Sequence, residues 1–109
     1  QHHEDHNSMA PIAARMALRS GECVADIVGI EMLLASQAID LCEHGLQWEE
    51  EGVVREIPPC ALAPAIRDRR DCIRSNVPFW EDDGVMHPAL EIMGRMVRHG
   101  EVTGELSEW

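Results

Sequence analysis

The sequence is dominated by the run from Ser8 to Cys42, which reads SMAPIAARMALRSGECVADIVGIEMLLASQAIDLC. Apolar or small side chains recur along it every three or four residues, the spacing of one helix face. They are Met9, Ala13, Met16, Cys23, Ile27, Ile30, Leu34 and Leu41. Asn7 or Ser8 can cap a helix here, with Pro11 in its first turn. We predict one long helix over residues 8–42, roughly 50 Å in length at about 1.5 Å per residue.

A second stripe on this predicted helix consists of small residues at four-residue steps: Ala13, Ala17, Gly21, Ala25 and Gly29. Small side chains let another helix approach closely along such a ridge. A helix that is apolar on several faces is also buried on several faces. A compact domain of this size, however, has a radius of gyration of only about 13 Å. We therefore expect other chains, or a further part of the same protein, to cover this helix; the alternative is an ordinary two-helix hairpin core.

The rest of the sequence predicts shorter elements. Gly45, Gly52 and two prolines punctuate residues 43–61, which we interpret as a surface loop or short extended connection. A helix over 62–76 has Pro64 in its first turn, and a helix over 88–99 has Gly100 in place to end it. Their predicted inner faces are Leu62, Ile66, Cys72 or Ile73 and Val77, then Ala89, Ile92, Met93, Met96 and Val97.

The predicted fold class is all-α, with one long core helix followed by two shorter helices, as a fragment of a larger helical bundle. We divide the single domain into a polar strip at 1–7, the core helix at 8–42, a loop at 43–61 and a C-terminal helical segment at 62–109. Phe79 and Trp80 are expected to act as aromatic anchors between the last two helices.

The composition argues against several function classes. Lysine is absent, and nine arginines against twenty acidic residues give a formal net charge of -11. Because nucleic-acid binding depends on Lys and Arg at the phosphates, we expect no nucleic acid and no anionic membrane surface among the partners. No uncharged run approaches the roughly 20 residues that span a bilayer. With no signal peptide recognised, we expect a cytoplasmic protein.

The four cysteines are widely spaced and match neither a CxxC pair nor a zinc-finger pattern. They are Cys23, Cys42, Cys60 and Cys72. We expect them to be reduced, with Cys23 and Cys72 buried as small hydrophobic side chains. A single disulfide is the alternative.

Only one cluster in the sequence could carry chemistry: His2, His3, Glu4, Asp5 and His6, directly before the long helix. It could be a polar terminus without a role. It could bind a transition metal, since His and carboxylate are suitable ligands, with His44 and His87 as lone further candidates. It could also be an active-site strip, where the helix dipole favours the charge of the two acids. Since no ligand set converges, we expect no bound metal.

The string HEDHNSMAP at residues 3–11, followed by a helix ending in ASQAIDL at 35–41, resembles the histidine and aromatic amino acid ammonia-lyase family. Histidine ammonia-lyases carry Gln-Glu-Asp-His-x-Ser-Met at this point, whereas phenylalanine and tyrosine members carry Asn-Gln-Asp. The strings RSNVPF at 74–79, PALE at 88–91 and GEVTG at 100–104 resemble the family's tail. The likeness covers nearly the whole chain but only about the last fifth of a typical member.

The resemblance implies a helical homotetramer that eliminates ammonia from histidine or a related aromatic amino acid. The family's electrophile is a methylidene-imidazolone made from Ala-Ser-Gly, and its base is a tyrosine. This sequence contains neither Ala-Ser-Gly nor tyrosine. By position, Glu4 matches the family's active-site Glu or Gln and is the expected catalytic and substrate-binding residue. His3 replaces the family's Gln as the second substrate-binding candidate, while Asp5 and His6 would be structural.

We therefore expect the C-terminal portion of an ammonia-lyase. Alone it would be inactive, would hold no cofactor, would self-associate through the long helix and would bind an amino acid only with the rest of the parent protein. The alternative is a non-catalytic helical oligomerisation or interaction module.

Overall fold

The computed structural model describes residues 2–102, with side chains described from residue 9 onward. Its elements in chain order are α1 (His2–His44), β1 (Leu46–Glu50), β2 (Val53–Ile57), α2 (Pro64–Arg74) and α3 (His87–Arg98). The predicted class is confirmed, because one long helix is followed by two shorter ones. A two-stranded antiparallel hairpin lies where the sequence predicted a surface loop or short extended connection.

Helix α1 begins at His2 rather than at Ser8, so neither Asn7 nor Ser8 caps it, and Pro11 lies inside the helix. An interior proline removes one backbone hydrogen bond and crowds the preceding turn, but here it does not end the helix. The 43 residues of α1 extend for about 65 Å, and the longest dimension of the molecule is 75 Å. Despite that length, no described helix combines the length and apolarity that crossing a membrane requires.

The core forms where α3 packs on the C-terminal half of α1. Gly29 lies so close to α3 that a Cβ there would sit 3.0 Å from the carbonyl carbon of Met93. The prediction that the small-residue stripe admits a close helix is therefore confirmed at Ala25 and Gly29, both buried. The central cluster consists of Leu33, Ile73, Val77, Ala89, Met93, Met96 and Val102. The predicted inner faces of the two shorter helices supply most of it.

The prediction that the apolar face of α1 is buried is wrong for the part of the chain that the structure describes. All side chains from Met9 to Val24 are exposed, and so are Ile27, Ile30, Leu34 and Leu41. The difference arises because α3 uses the small-residue stripe instead, where two helix backbones can approach most closely. The expected shortage of cover is confirmed: α1 has more apolar surface than the described chain shelters.

The cysteine predictions are confirmed in part. All four cysteines are free. Cys23, however, is exposed and Cys72 only half-buried, which corrects the expected burial. Cys23 is exposed because it lies on the part of α1 that no other described element covers.

The hairpin replaces the predicted surface loop, and the alternative of a short extended connection is nearer to what the structure shows. Glu51 and Gly52 connect the strands with φ values of 53° and 78°. Positive φ at both central residues is the signature of a type I′ turn, whose twist matches that of the strands. Leu46 pairs with Ile57, and Trp48 with Arg55. Every residue of both strands is exposed, so the hairpin projects from the helices.

The end of α3 redirects the chain toward α2. Gly100 has a φ of 66° and follows the C-cap, which confirms it as the residue that ends the helix. Its N–H donates to the Val97 carbonyl oxygen, and the N–H of Glu101 donates to that of Met96. These two bonds form a Schellman motif. As a result, the next residue, Val102, is buried in the core.

Candidate functional site

The predicted active-site residues lie at the N-terminal end of α1. Glu4 and His3 belong to that helix, but their side chains, like those of His2, Asp5 and His6, lie outside the described residues. Along the helix, Glu4 is 21 positions before Ala25, the first described side chain of α1 that is buried. At about 1.5 Å per residue the separation is roughly 32 Å.

No wall for a substrate pocket surrounds this end of α1 within the described chain. Every described side chain of α1 before Ala25 is exposed. A site built around Glu4 would therefore need walls from other polypeptide segments. That the Glu4 carboxylate serves such a site stays a prediction.

The two lone histidines considered as metal ligands have local partners instead. Nδ1 of His44 lies 2.9 Å from the Asp40 carbonyl oxygen, within the last turn of α1. Nε2 of His87 lies 3.0 Å from a carboxylate oxygen of Glu91, one turn along α3. No group of three metal-ligating side chains occurs in the described part of the chain. For His2, His3 and His6, which precede the described side chains, the expectation of no bound metal stays a prediction.

The sequence reasoning missed a buried ionic cluster between α1 and α2, which we call the arginine clamp: Gln37, Asp40, Glu43, Arg70 and Arg74. Asp40 accepts hydrogen bonds from Nη1 of Arg70 at 2.7 Å and from Nε of Arg74 at 2.6 Å. The Asp40 and Arg70 side chains are only 10% and 9% exposed. The signal available in the sequence was Asp40, an acid within an apolar stretch of α1. Nothing in the sequence indicates that its partner lies 30 residues away.

Arg70 is the most heavily paired member of the clamp. Its guanidinium also contacts Glu43 at 3.1 Å and Asp71 at 2.9 Å. The hydrogen bonds that Arg70 donates to Glu43 and then to Asp40 raise the pKa of Arg70 above its ordinary value, although burial opposes them. A raised pKa of a base means that its stabilisation is fully present below the unfolded-state pKa. Arg70 therefore holds its charge, and the clamp, throughout the neutral range.

Arg74 extends the clamp to the segment that follows α2. Its Nη1 donates to the carbonyl oxygens of Val77 and Pro78 at 3.2 and 3.1 Å, and its Nη2 to Gln37 at 3.2 Å. The Gln37 amide donates in turn to the Trp80 carbonyl oxygen at 2.7 Å. Trp80 packs against the core, as expected of an aromatic anchor. The clamp thus fixes both α2 and the turn after it onto α1.

The clamp is built for support rather than for catalysis. The Asp40 carboxylate is hydrogen-bonded on both oxygens, and Glu43 is held by Arg70. A general base needs a free lone pair within reach of a substrate proton. The arginine clamp therefore supports α1 near its C-terminal end. Glu4, the candidate catalytic residue, lies at the opposite end of that helix.

Comparisons with known proteins agree with the resemblance seen in the sequence. The family model described as aromatic amino acid lyase matches residues 1–57. Histidine ammonia-lyase of Burkholderia mallei (strain NCTC 10229) is 34% identical over 95 residues, which are 87% of this chain and 16% of that protein. Histidine ammonia-lyase of Burkholderia pseudomallei (strain K96243) gives the same figures. The chain thus spans about a sixth of the length of these relatives. No solved structure gives a significant match.

Proposed function

This chain belongs to the aromatic amino acid lyase family, and we propose that it is the C-terminal portion of an ammonia-lyase acting on histidine or a related aromatic amino acid. One observation carries the proposal: the family match spans both the Glu4 strip and the whole of α1. The relatives that favour histidine as the substrate are those named histidine ammonia-lyase. Glu rather than Gln at position 4 favours the same substrate.

Glu4 would bring a carboxylate to the substrate at the end of α1. A carboxylate there can hold the substrate's amine or imidazole through charge-assisted hydrogen bonds, which are about twice as strong as neutral ones. His3, beside it in the sequence, would supply a second polar contact. Because α1 is continuous from these residues to the arginine clamp, the clamp would fix the helix that positions them.

The residues of this chain do not fit the family's electrophile. A methylidene-imidazolone forms from Ala-Ser-Gly, and neither that tripeptide nor any tyrosine occurs among the 109 residues. Another segment of the parent protein would have to supply both the electrophile and the base. This chain's part in the reaction would be to bind and orient the substrate.

The uncovered flank of α1 supports a role as a core helix in an oligomer. Its large apolar side chains are far from sheltered, with Met9 67%, Met16 65% and Leu34 59% exposed. Large exposed apolar patches mark interaction sites in folded proteins. In the intact parent, we propose that α1 packs against helices of the same subunit and of its neighbours in a tetramer.

The first test is an activity assay on the purified 109-residue chain. Incubated with histidine, phenylalanine or tyrosine, it should release no unsaturated acid, as followed by ultraviolet absorbance. The physical reason is that neither the electrophile nor the tyrosine base is encoded. Turnover above that of a buffer control would contradict the proposed division of labour.

The second test is the substitution Glu4→Gln in the intact parent enzyme. We expect kcat/KM for histidine to change by more than about tenfold, because a charged contact to the substrate is replaced by a neutral one. Glu49→Gln is the matched control, since Glu49 is an exposed carboxylate on β1 rather than on α1. An unchanged kcat/KM for the Glu4 variant would remove that residue from the site.

The second candidate is a non-catalytic helical module that only oligomerises. The exposed apolar flank of α1 is the observation that favours it. The coding region upstream of Gln1 discriminates between the two: an Ala-Ser-Gly motif there supports the lyase, and an initiator codon immediately before Gln1 supports the module.

A further inference from the structure

An apolar groove lies between α1 and α2, and Arg69 is part of its wall. We propose that this groove binds a medium-chain fatty acid, with the alkyl chain along the two helices and the carboxylate on Arg69. The inference is independent of the proposed lyase function, because it rests on side chains near the C-terminal end of α1 and on α2.

The groove has the size of a ligand site. It is a cavity of about 640 Å³, and pockets that hold drug-sized ligands have roughly 300–1,000 Å³. Met32, Ala35 and Ile39 line it from α1, and Ile66 and Ile73 line it from α2. Ala35 is exposed and Ile66 is 46% exposed, so a ligand can reach the walls.

The walls suit an alkyl chain better than an aromatic ring. From Met32 to Ile39 the wall on α1 extends for roughly 10 Å at about 1.5 Å per residue, and the wall on α2 from Ile66 to Ile73 extends equally far. Among the described residues, those that line the groove include no aromatic side chain. A bound ring would therefore have no aromatic partner to stack on, whereas a flexible alkyl chain can follow the aliphatic walls.

Two of the polar residues on the wall are already engaged. The Ser36 hydroxyl donates to the Leu33 carbonyl oxygen at 2.8 Å. Arg70 is held by three carboxylates of the described chain, so its charge is compensated. Arg69 is the remaining cation on the wall that can bind the head group of a ligand.

The state of Arg69 indicates which head group fits. Its side chain is half-buried, and it makes no hydrogen bond or ion pair with any residue from 9 to 102. Withdrawing a charge from water is unfavourable unless an opposite charge compensates it. A guanidinium presents forked N–H donors that match the two oxygens of a carboxylate. The groove and Arg69 together therefore favour one anionic head on an apolar body.

Isothermal titration calorimetry of the 109-residue chain with sodium decanoate, below its micelle concentration, tests the proposal. We expect one decanoate per chain, and Arg69→Gln should weaken binding by about tenfold to a hundredfold, the range of a hydrogen bond to a charged group. Arg67→Gln is the matched control, because Arg67 is an exposed arginine of α2 outside the groove wall. Absence of binding, or an equal loss in both variants, would overturn the proposal.

A steric substitution tests the location without touching the charge. Ala35→Phe should lower the affinity for decanoate by about tenfold or more, because its ring displaces at least about two methylene groups of the ligand, each worth about fourfold. Ala38→Phe is the matched control, since Ala38 is exposed on α1 and does not line the groove. Undiminished binding to the Ala35 variant would overturn the assigned site.

Two further ligands separate the alkyl chain from the carboxylate. Octanoate should bind roughly tenfold more weakly than decanoate, because two fewer methylene groups are buried. The neutral 1-octanol should bind the unmodified chain and the Arg69 variant equally well. Equal affinity for the two acids would overturn burial of the alkyl chain, and weaker octanol binding to the variant would overturn the assigned ion pair.

A last measurement excludes a second copy of the chain as the occupant of the groove. The affinity for decanoate should be the same at all protein concentrations. An affinity that falls as the protein concentration rises would mean that another copy competes for the groove, and this would overturn the proposal.

Discussion

The arginine clamp gives the sharpest prediction about stability: Asp40→Ala should destabilise the fold by about 3 kcal/mol. The substitution removes the acceptor that joins Arg70 and Arg74, at 2.7 and 2.6 Å. Both guanidinium groups would then be left partly desolvated, because their side chains are only 9% and 15% exposed. Breaking a buried ion pair by deleting one partner typically costs about 3–5 kcal/mol.

The lower end of that range applies because Arg70 keeps two other acids. Glu43 and Asp71 remain at 3.1 and 2.9 Å and continue to compensate its charge. Arg74 has no second carboxylate in the described chain and would keep only neutral acceptors. A loss of about 3 kcal/mol corresponds to more than a hundredfold in the folding equilibrium, a large share of the roughly 5–15 kcal/mol that stabilises a small domain.

Urea unfolding, followed by circular dichroism and tryptophan fluorescence, measures the effect. Protein concentration must be held constant, because association shifts apparent stability. Asp26→Ala is the matched control: Asp26 also joins α1 to an arginine, Arg98, at 3.1 Å, but the two side chains are 58% and 41% exposed. Exposed pairs contribute about 0–1 kcal/mol. The reasoning is refuted if the Asp40 variant loses no more stability than the Asp26 variant.

Further predictions concern the two kinds of surface on α1. Gly29→Val should lower the free energy of unfolding by about 2 kcal/mol, since a Cβ there meets the Met93 backbone at 3.0 Å. Gly21→Ala should raise it by up to about 1 kcal/mol, because a Cβ there would meet no atom within 4 Å other than those of its own helix backbone and chain neighbours. Urea unfolding measures both changes, and equal effects of the two substitutions would contradict the packing. Ile27→Glu combined with Leu34→Glu should shift the chain toward monomer in sedimentation, and an unchanged mass would exclude this flank as the contact.

The sequence predicts α3 well because that helix has a single apolar side. Ala89, Met93 and Met96 recur at helical spacing, and all three are buried. Helix α1 is different, because it is apolar on several faces, and spacing alone cannot tell which face its own chain covers. Only the position of α3 shows that the face of α1 with Gly29 is the one that packs and that Leu34 remains exposed.

The hairpin and the clamp escape prediction for different physical reasons. Glu51-Gly52 lacks the Asn-Gly or Asp-Gly pair that most strongly marks a two-residue turn, and an acidic run precedes it. The β-branched pair Val53-Val54 was the available strand signal. The clamp joins residues 30 positions apart, and no local pattern encodes such a pairing. Glu4 is a candidate through family resemblance and position, not through any local physical signal.

Sedimentation equilibrium of the unmodified chain measures whether α1 has more apolar surface than its own chain can cover. We expect a mean mass that exceeds the 12.2 kDa of one chain and rises with concentration. A single 12.2 kDa species over the whole concentration range would contradict it.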